Sequence, residues 1–178
     1  NIFKIEKKFN IYIEEIYLII DDKNFINVDI SLIKDSKFLS TKIENISNDL
    51  SNIKESILKS NIDFELVHMI INKFIIDKKD YLVLPEQINQ KKIFLEIRLI
   101  CLKTKALINF KKILSRYQIS IKKIFNYEYV DSFKLDRTDN ISLVAIRLIN
   151  GLNQNEINLQ KQNLKNRGFF EKFFQFFS

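Results

Sequence analysis

The amino-acid sequence predicts an α+β domain with a mostly antiparallel sheet and two helices on one face. Several stretches alternate apolar and polar residues with the period of a strand, and two others space their apolar residues as an amphipathic helix does. Their order is strand–strand–helix–strand followed by strand–helix–strand, which is typical of α+β folds. With 178 residues, 46% of them hydrophobic, the chain is long and apolar enough to build a core.

Three or four elements are predicted before residue 40. Residues 1–10 space their apolar side chains in roughly helical fashion, which indicates the end of a helix. Residues 15–20 form an apolar run closed by two aspartates, the pattern of a buried strand. Residues 25–38 alternate and indicate one or two further strands.

Residues 45–58 predict the first complete helix. Four apolar residues recur at i, i+4, i+7 and i+11 and therefore share one face, namely Ile46, Leu50, Ile53 and Ile57. Asn45 or Ser47 has the side chain that a helix N-terminus requires.

Further strands are predicted at residues 64–76, 81–84, 93–102 and 119–130. The alternation in 93–102 places five apolar residues on one face: Ile93, Leu95, Ile97, Leu99 and Cys101. A second helix is predicted at 104–117, with its inward residues at Leu107, Phe110, Ile113, Leu114 and Tyr117. Residues 141–152 fit a strand or a helix.

The charge of the chain is +7, but arginine is scarce. Lysine supplies 24 of the 29 basic residues, and lysine is the weaker choice where phosphate must be bound with defined geometry. We therefore interpret the lysines mainly as a solubilising surface. Lys111, Lys112, Lys122 and Lys123, with Tyr127 and Tyr129, leave an RNA-binding surface open as the less favoured interpretation.

Residues suited to catalysis or metal binding are few. His68 is the single histidine and is predicted to be a structural residue inside a strand, while Cys101 is predicted to lie in the core. Asp21 and Asp22 fit a solvated turn better than a cation site. Two glycines in the whole chain leave almost no glycine-built phosphate loop. We expect no enzymatic activity, no cofactor, no metal site and no nucleotide binding.

The C-terminal residues 168–178 predict an amphipathic helix that binds a membrane surface; the alternatives are a C-terminal helix docked in the protein's own groove, or residues left over from expression. At 100° per residue six phenylalanines fall within an arc of about 160°, with Glu171, Lys172 and Gln175 on the other side. A polar stretch at 153–167 precedes them and is predicted to be a linker. The predicted membrane-binding residues are Phe169, Phe170, Phe173, Phe174, Phe176 and Phe177, with Lys165 and Arg167 contacting anionic lipid.

Several of these segments together resemble the FtsA family of actin-like bacterial cell-division proteins. The resemblance is to the inserted SHS2-type subdomain, called 1C, and it rests on the order and spacing of five segments. Residues 14–20 resemble its first strand; 64–77 resemble its "ILHVLPQEYIID"-like strand, with His68 at the family's histidine; and Pro85 resembles the proline before the next strand. Residues 95–100 resemble the "LEAEVHLI"-like strand. Residues 107–110 resemble the closing helix of the subdomain, and the strand from Ile119 resembles its closing strand.

A second resemblance lies near the C-terminus. Residues 141–152 are similar to the family's "TAVGLLLYG"-like segment, and residues 163–178 are similar to its membrane-targeting helix.

The resemblance implies four regions. These are an SHS2-like domain at 1–132, a remnant of the distal actin-like lobe at 133–152, the linker at 153–167 and the membrane-targeting helix at 168–178. The family's glycine-rich ATP loops have no counterpart, so ATP binding is not implied, and we expect a shortened form or a fragment.

The resemblance also implies a function. The chain would be a non-enzymatic division-ring component at the cytoplasmic face of the bacterial inner membrane, at the septum. Its SHS2-like domain would contact other FtsA subunits and later division proteins; FtsZ is a further expected partner, although the family binds it through the distal lobe. A related membrane-associated pilus-assembly module and a basic nucleic-acid-binding domain are the alternatives, and we expect no nucleic-acid partner.

Overall fold

Two β-sheets form the framework of the protein. The structure, a computed structural model, describes residues 2–35, 63–85 and 92–157, and between these ranges residues 50, 52, 53, 55, 56 and 59. A four-stranded antiparallel sheet has the order β2-β5-β3-β4, and β1 pairs with β6 in a separate parallel pair. The strands are β1 (Glu15–Ile20), β2 (Phe25–Asp35), β3 (Phe64–Ile76), β4 (Lys79–Tyr81), β5 (Lys92–Lys103) and β6 (Ser120–Asn126).

The helices are α1 (Ile2–Phe9), α2 (Thr104–Ser115), α3 (Tyr127–Asp131) and α4 (Ile141–Ile149). The described residues between 50 and 59 are also helical. The predicted α+β class with a mostly antiparallel sheet is therefore confirmed. The parallel pairing of β1 with β6 was not predicted.

The strand β5 lies at the centre of the core. It pairs with β2 on one side and β3 on the other, so its backbone groups are bonded along both edges. The predicted alternation is confirmed, because all five residues from Ile93 to Cys101 on the predicted face are buried. Near its end, Ile100 and Leu102 on the opposite face are buried as well.

The two predicted helices contact opposite faces of the sheet, not one face as expected. Leu50 packs in the cluster that contains Leu99 and Cys101, whereas Leu107 of α2 packs with Leu102. Neighbouring residues of a strand point to opposite faces, so Cys101 and Leu102 identify the two sides. Because both faces of the sheet are covered at this point, the end of β5 is apolar on both faces and its sequence does not alternate. Ile46 and Ile57 lie outside the described residues.

The inward face predicted for the second helix was too wide. Leu107, Phe110 and Leu114 are buried or half-buried, but Ile113 is 55% exposed and Tyr117 is exposed too. Ile113 lies about 120° around the helix from Leu107, away from the sheet. Tyr117 follows the end of α2 at Ser115.

Two strand predictions need correction. The strand predicted to Val130 ends at Asn126, because the Asn126 side chain accepts the Tyr129 N–H at 2.8 Å and caps α3. The strand predicted at 81–84 is instead β4 at Lys79–Tyr81. Asp77 and Lys78 both have positive φ, which makes a two-residue hairpin turn that starts β4 immediately after it.

Residues 141–152 form the helix α4 followed by a turn, which decides between the two predicted alternatives. Asn140 caps α4 by accepting the Ser142 N–H at 2.9 Å, and Gly151 ends it with a φ of 89°. Val144, Ala145 and Leu148 pack with α3 and with the sheet residues Ile70 and Ile100. The segment predicted to be a lobe remnant therefore contributes to the core of the preceding domain.

Candidate functional site

The predicted membrane-binding residues lie outside the described part of the chain. This holds for Lys165, Arg167 and all six phenylalanines of 168–178. The described residues bring together two other features: a buried polar cluster around His68 and Glu156, and an exposed apolar surface around α1.

A β-bulge in β3 directs His68 towards β6. Pairing with β5 is irregular between Leu66 and His68, and the bulge adds one residue to the alternation. Val67 packs with Leu102 and Leu107. His68 lies opposite Ile100, so that Val67 and His68, although consecutive, lie on the same side of the sheet. Without the bulge, His68 would face the other side, where Leu66 and Met69 pack.

Both ring nitrogens of the buried His68 have partners. The Asn126 backbone N–H donates to Nε2 at 3.2 Å, so Nε2 carries no proton. Nδ1 therefore carries the proton and donates to Oε1 of Glu156 at 2.9 Å. The ring also stacks against Tyr129, with centroids 4.4 Å apart. The prediction of a structural histidine is confirmed.

Three donors converge on the carboxylate of Glu156. Besides His68, the Lys123 ammonium donates to Oε1 at 3.1 Å and the Tyr129 hydroxyl donates to Oε2 at 2.8 Å. Asn153 in turn donates to the Tyr129 oxygen at 3.0 Å. A buried carboxylate is tolerated when its oxygens are bonded in this way.

The surroundings determine the protonation states of the cluster. Burial lowers the pKa of His68 below its ordinary 6.5, against the opposing effect of Glu156, so the ring is neutral at pH 7. Burial alone would raise the pKa of Glu156, but the His68 hydrogen bond, the Lys123 charge and the Tyr129 hydroxyl together lower it. Burial and the nearby Glu156 charge raise the pKa of Tyr129, which stays protonated and donates.

This cluster attaches the segment after α4 to the edge of β3. Ile71 donates its N–H to the carbonyl of Asn155 at 3.0 Å, and Ile157 donates to Met69 at 2.8 Å. The Asn155 side chain also donates to the carbonyl of Leu82 at 2.8 Å. The predicted linker begins at Asn153, yet residues 153–157 are held by the sheet. Sequence reasoning missed Glu156, because its role depends on its closeness in the fold to His68 and Lys123, and no local sequence pattern shows which distant residues meet.

The second feature, named the α1 apolar surface, is the set of exposed apolar residues on α1 and beside it, which lie on more than one side of the helix: Phe3, Ile5, Phe9, Tyr12 and Tyr117. α1 buries none of its residues, and Phe3, Phe9 and Tyr12 are 67%, 61% and 92% exposed. The ring of Phe3 contacts that of Tyr117 edge-on, with centroids 5.7 Å apart, which joins α1 to the end of α2. Exposed aromatic side chains are enriched in contact surfaces.

Of the residues considered for RNA binding, Lys122, Lys123 and Tyr129 are engaged elsewhere, whereas Lys111 and Lys112 are exposed and Tyr127 is half-buried. Lys123 pairs with Glu156 and Tyr129 is buried. Lys122 pairs with Glu15 at 3.2 Å and lies over the Tyr17 ring. The buried Tyr129 is therefore not available to stack on an RNA base.

Cys101 and Asp22 lie where the sequence predicts them, in the core and in a turn. Cys101 is a free, buried thiol whose pKa is raised by burial, the opposite of a reactive cysteine. Asp22 accepts the Asn24 backbone N–H at 2.9 Å in a tight turn. Within the described residues no group of three or more potential metal ligands occurs.

No protein-family model matches the chain, and no curated protein matches it at a significant level. Among the described residues no helix is long and apolar enough to cross a lipid bilayer.

Proposed function

We propose that the protein is a non-enzymatic, membrane-tethered component of the bacterial division apparatus, of FtsA type. In this proposal the folded part contacts other division proteins, and residues 168–178 bind the cytoplasmic face of the membrane. The proposal combines the sequence resemblance with one structural observation, the α1 apolar surface.

The α1 apolar surface supports a role in protein contact for two reasons. The aromatic side chains on α1, Phe3 and Phe9, are exposed, and α1 buries no residue, so their apolar character contributes little to the stability of the fold. Aromatic residues with few rotatable bonds also provide contact area at low entropic cost and are enriched in interfaces. Lys8 stacks over Phe9 and rims the surface with positive charge.

The membrane part of the proposal is supported by the sequence of 168–178. Full burial of a phenylalanine contributes about 1.5–3 kcal/mol, whereas ordering each residue costs about 1–2 kcal/mol. The net affinity of one tail is therefore small. An assembly of several copies would bind firmly, because the tails then act together.

A fluorescent fusion expressed in a dividing rod-shaped bacterium tests this function. The full chain is expected in a band at mid-cell, and a chain ending at Arg167 is expected to be diffuse. Phe9→Asp is expected to stay on the membrane without forming the band, because it places a charge in the α1 apolar surface.

Leu135→Asp is the matched control for Phe9→Asp. Leu135 is 88% exposed and lies in the turn after α3, outside the α1 apolar surface. This variant is expected to form the band as the original chain does. A band formed equally well by Phe9→Asp would contradict the proposed contact surface.

A further inference from the structure

The outward face of α2 carries a stripe of positive charge, named the α2 basic stripe and formed by Lys105, Lys112 and Arg116. At 100° per residue these three side chains fall within an arc of about 40°, on the side of the helix opposite the buried Leu107. All three are exposed, and Arg116 keeps helical backbone angles just after Ser115, where α2 ends. The stripe therefore points away from the sheet and into solvent.

The charge of the α2 basic stripe is not balanced within α2. Residues 103–119 contain four lysines and one arginine but no aspartate or glutamate. None of the three residues of the stripe forms an ion pair with another residue that the structure describes, whereas Lys122 and Lys123 of β6 pair with Glu15 and Glu156. Cations that stand together and unpaired attract an anionic partner.

Exposed isoleucines border the α2 basic stripe on both sides. Ile108 and Ile113 are each more than half exposed, and they lie about 60° and 80° around the helix from Lys105, in opposite directions. A lipid surface satisfies both kinds of residue, because its phosphates bind the cations while the isoleucines enter the boundary with the acyl chains. A nucleic acid would bind the cations but leave the isoleucines without an apolar partner.

The place where the described chain ends is compatible with a lipid surface at α2. The segment that ends at Ile157 runs antiparallel to β3, towards the end of the sheet where Asp63 accepts the Thr104 N–H at 2.8 Å. That end, where α2 begins, is about 17 Å further along the strand. The residues 158–167 span up to about 35 Å when extended. The proposed anchor at 168–178 and the start of α2 can therefore reach the same membrane.

We infer that the outward face of α2 is a second membrane contact, with anionic lipid as its ligand. The α2 basic stripe binds the headgroup phosphates, and Ile108 and Ile113 enter the interface beside it. On a strongly anionic surface each such cation strengthens binding about fivefold, and three together about a hundredfold. The inference rests on the proposed function and deepens it, because the tail brings the domain to the bilayer and this face then determines how the domain lies on it.

Sedimentation with vesicles of phosphatidylglycerol and phosphatidylethanolamine at physiological salt tests this contact in the full chain. The first variant neutralises the stripe by three substitutions: Lys105→Gln, Lys112→Gln and Arg116→Gln. The matched control removes three exposed charges at the opposite end of the sheet: Lys78→Gln, Lys79→Gln and Lys92→Gln.

Neutralising the stripe is expected to weaken binding about tenfold or more, whereas the control is expected to weaken it less than about twofold. On vesicles of phosphatidylcholine, which has no net charge, the two variants are expected to bind alike. Equal binding of the two variants to the anionic vesicles would overturn the inference.

A full-length chain with a disabled tail separates this inference from the proposed function. Phe173→Glu is expected to bind vesicles of phosphatidylglycerol alone weakly at low salt, and to lose this binding when the stripe is neutralised. If the full chain binds but Phe173→Glu shows no binding that depends on the stripe, the inference fails and the proposed anchor stands. If Phe173→Glu binds as tightly as the full chain and loses binding with the stripe, the anchor fails and the α2 contact stands.

A single-stranded RNA oligomer provides the remaining comparison. The full chain and the variant with the neutralised stripe are expected to bind it equally weakly. A stripe that is needed for binding RNA but not for binding vesicles would belong to a nucleic-acid surface and would overturn the inference.

Discussion

Glu156 illustrates how much one buried side chain holds together. Its carboxylate accepts from His68, Lys123 and Tyr129, which come from three separate elements. Glu156→Ala leaves these donors without an acceptor and is expected to destabilise the fold by about 3 kcal/mol. Urea unfolding measures this free energy. Glu55→Ala, which removes an exposed pair with Lys59, is the control and is expected to change the midpoint little.

The protonation of His68 predicts how stability depends on pH. Its pKa is lowered in the fold, so the unfolded chain binds the proton more readily, and stability falls as the pH falls below about 6.5. The lowered pKa of Glu156 acts in the same direction below about 4.5. The urea midpoint is therefore expected to drop between pH 7.5 and 5.5, and His68→Gln is expected to flatten this change. A midpoint that rises on acidification would contradict the assigned neutral ring.

At the scale of elements, α2 offers a direct test of which helical face is buried. Leu107 packs with Ile20 and Leu102, so Leu107→Ala is expected to cost about 2–5 kcal/mol. Ile113→Ala, on the exposed side of the same helix, is expected to change the free energy of unfolding by less than about 0.5 kcal/mol. Equal losses in urea unfolding would place both residues in the core.

Elements whose apolar residues repeat with a regular spacing along the chain were predictable. Features that depend on contacts between residues far apart in the sequence were not. The alternation of β5 and the position of Leu50 follow from the hydrophobic pattern. The bulge before His68, the pairing of β1 with β6 and the meeting of Glu156 with His68 depend on residues far apart in the chain. The wrong extension of the strand beyond Asn126 has a local cause, because an asparagine cap competes with strand formation at this point.

At the scale of the whole molecule, the proposed function assigns protein contact to the folded domain and membrane binding to residues 168–178. The cluster around Glu156 and the backbone hydrogen bonds to β3 hold residues 153–157 against the sheet. The described chain is therefore attached to the sheet as far as Ile157.

Co-sedimentation with liposomes of phosphatidylglycerol and phosphatidylethanolamine tests the central claim, that residues 168–178 bind the membrane. The full chain and Lys172→Gln are expected to pellet, and more so when fused to a dimerising domain that doubles the tails. Phe173→Glu, with a charge in the middle of the apolar face, and a chain ending at Arg167 are expected to stay in the supernatant. If the chain ending at Arg167 pellets as well as the full chain does, the tail is not the membrane anchor and the account is contradicted.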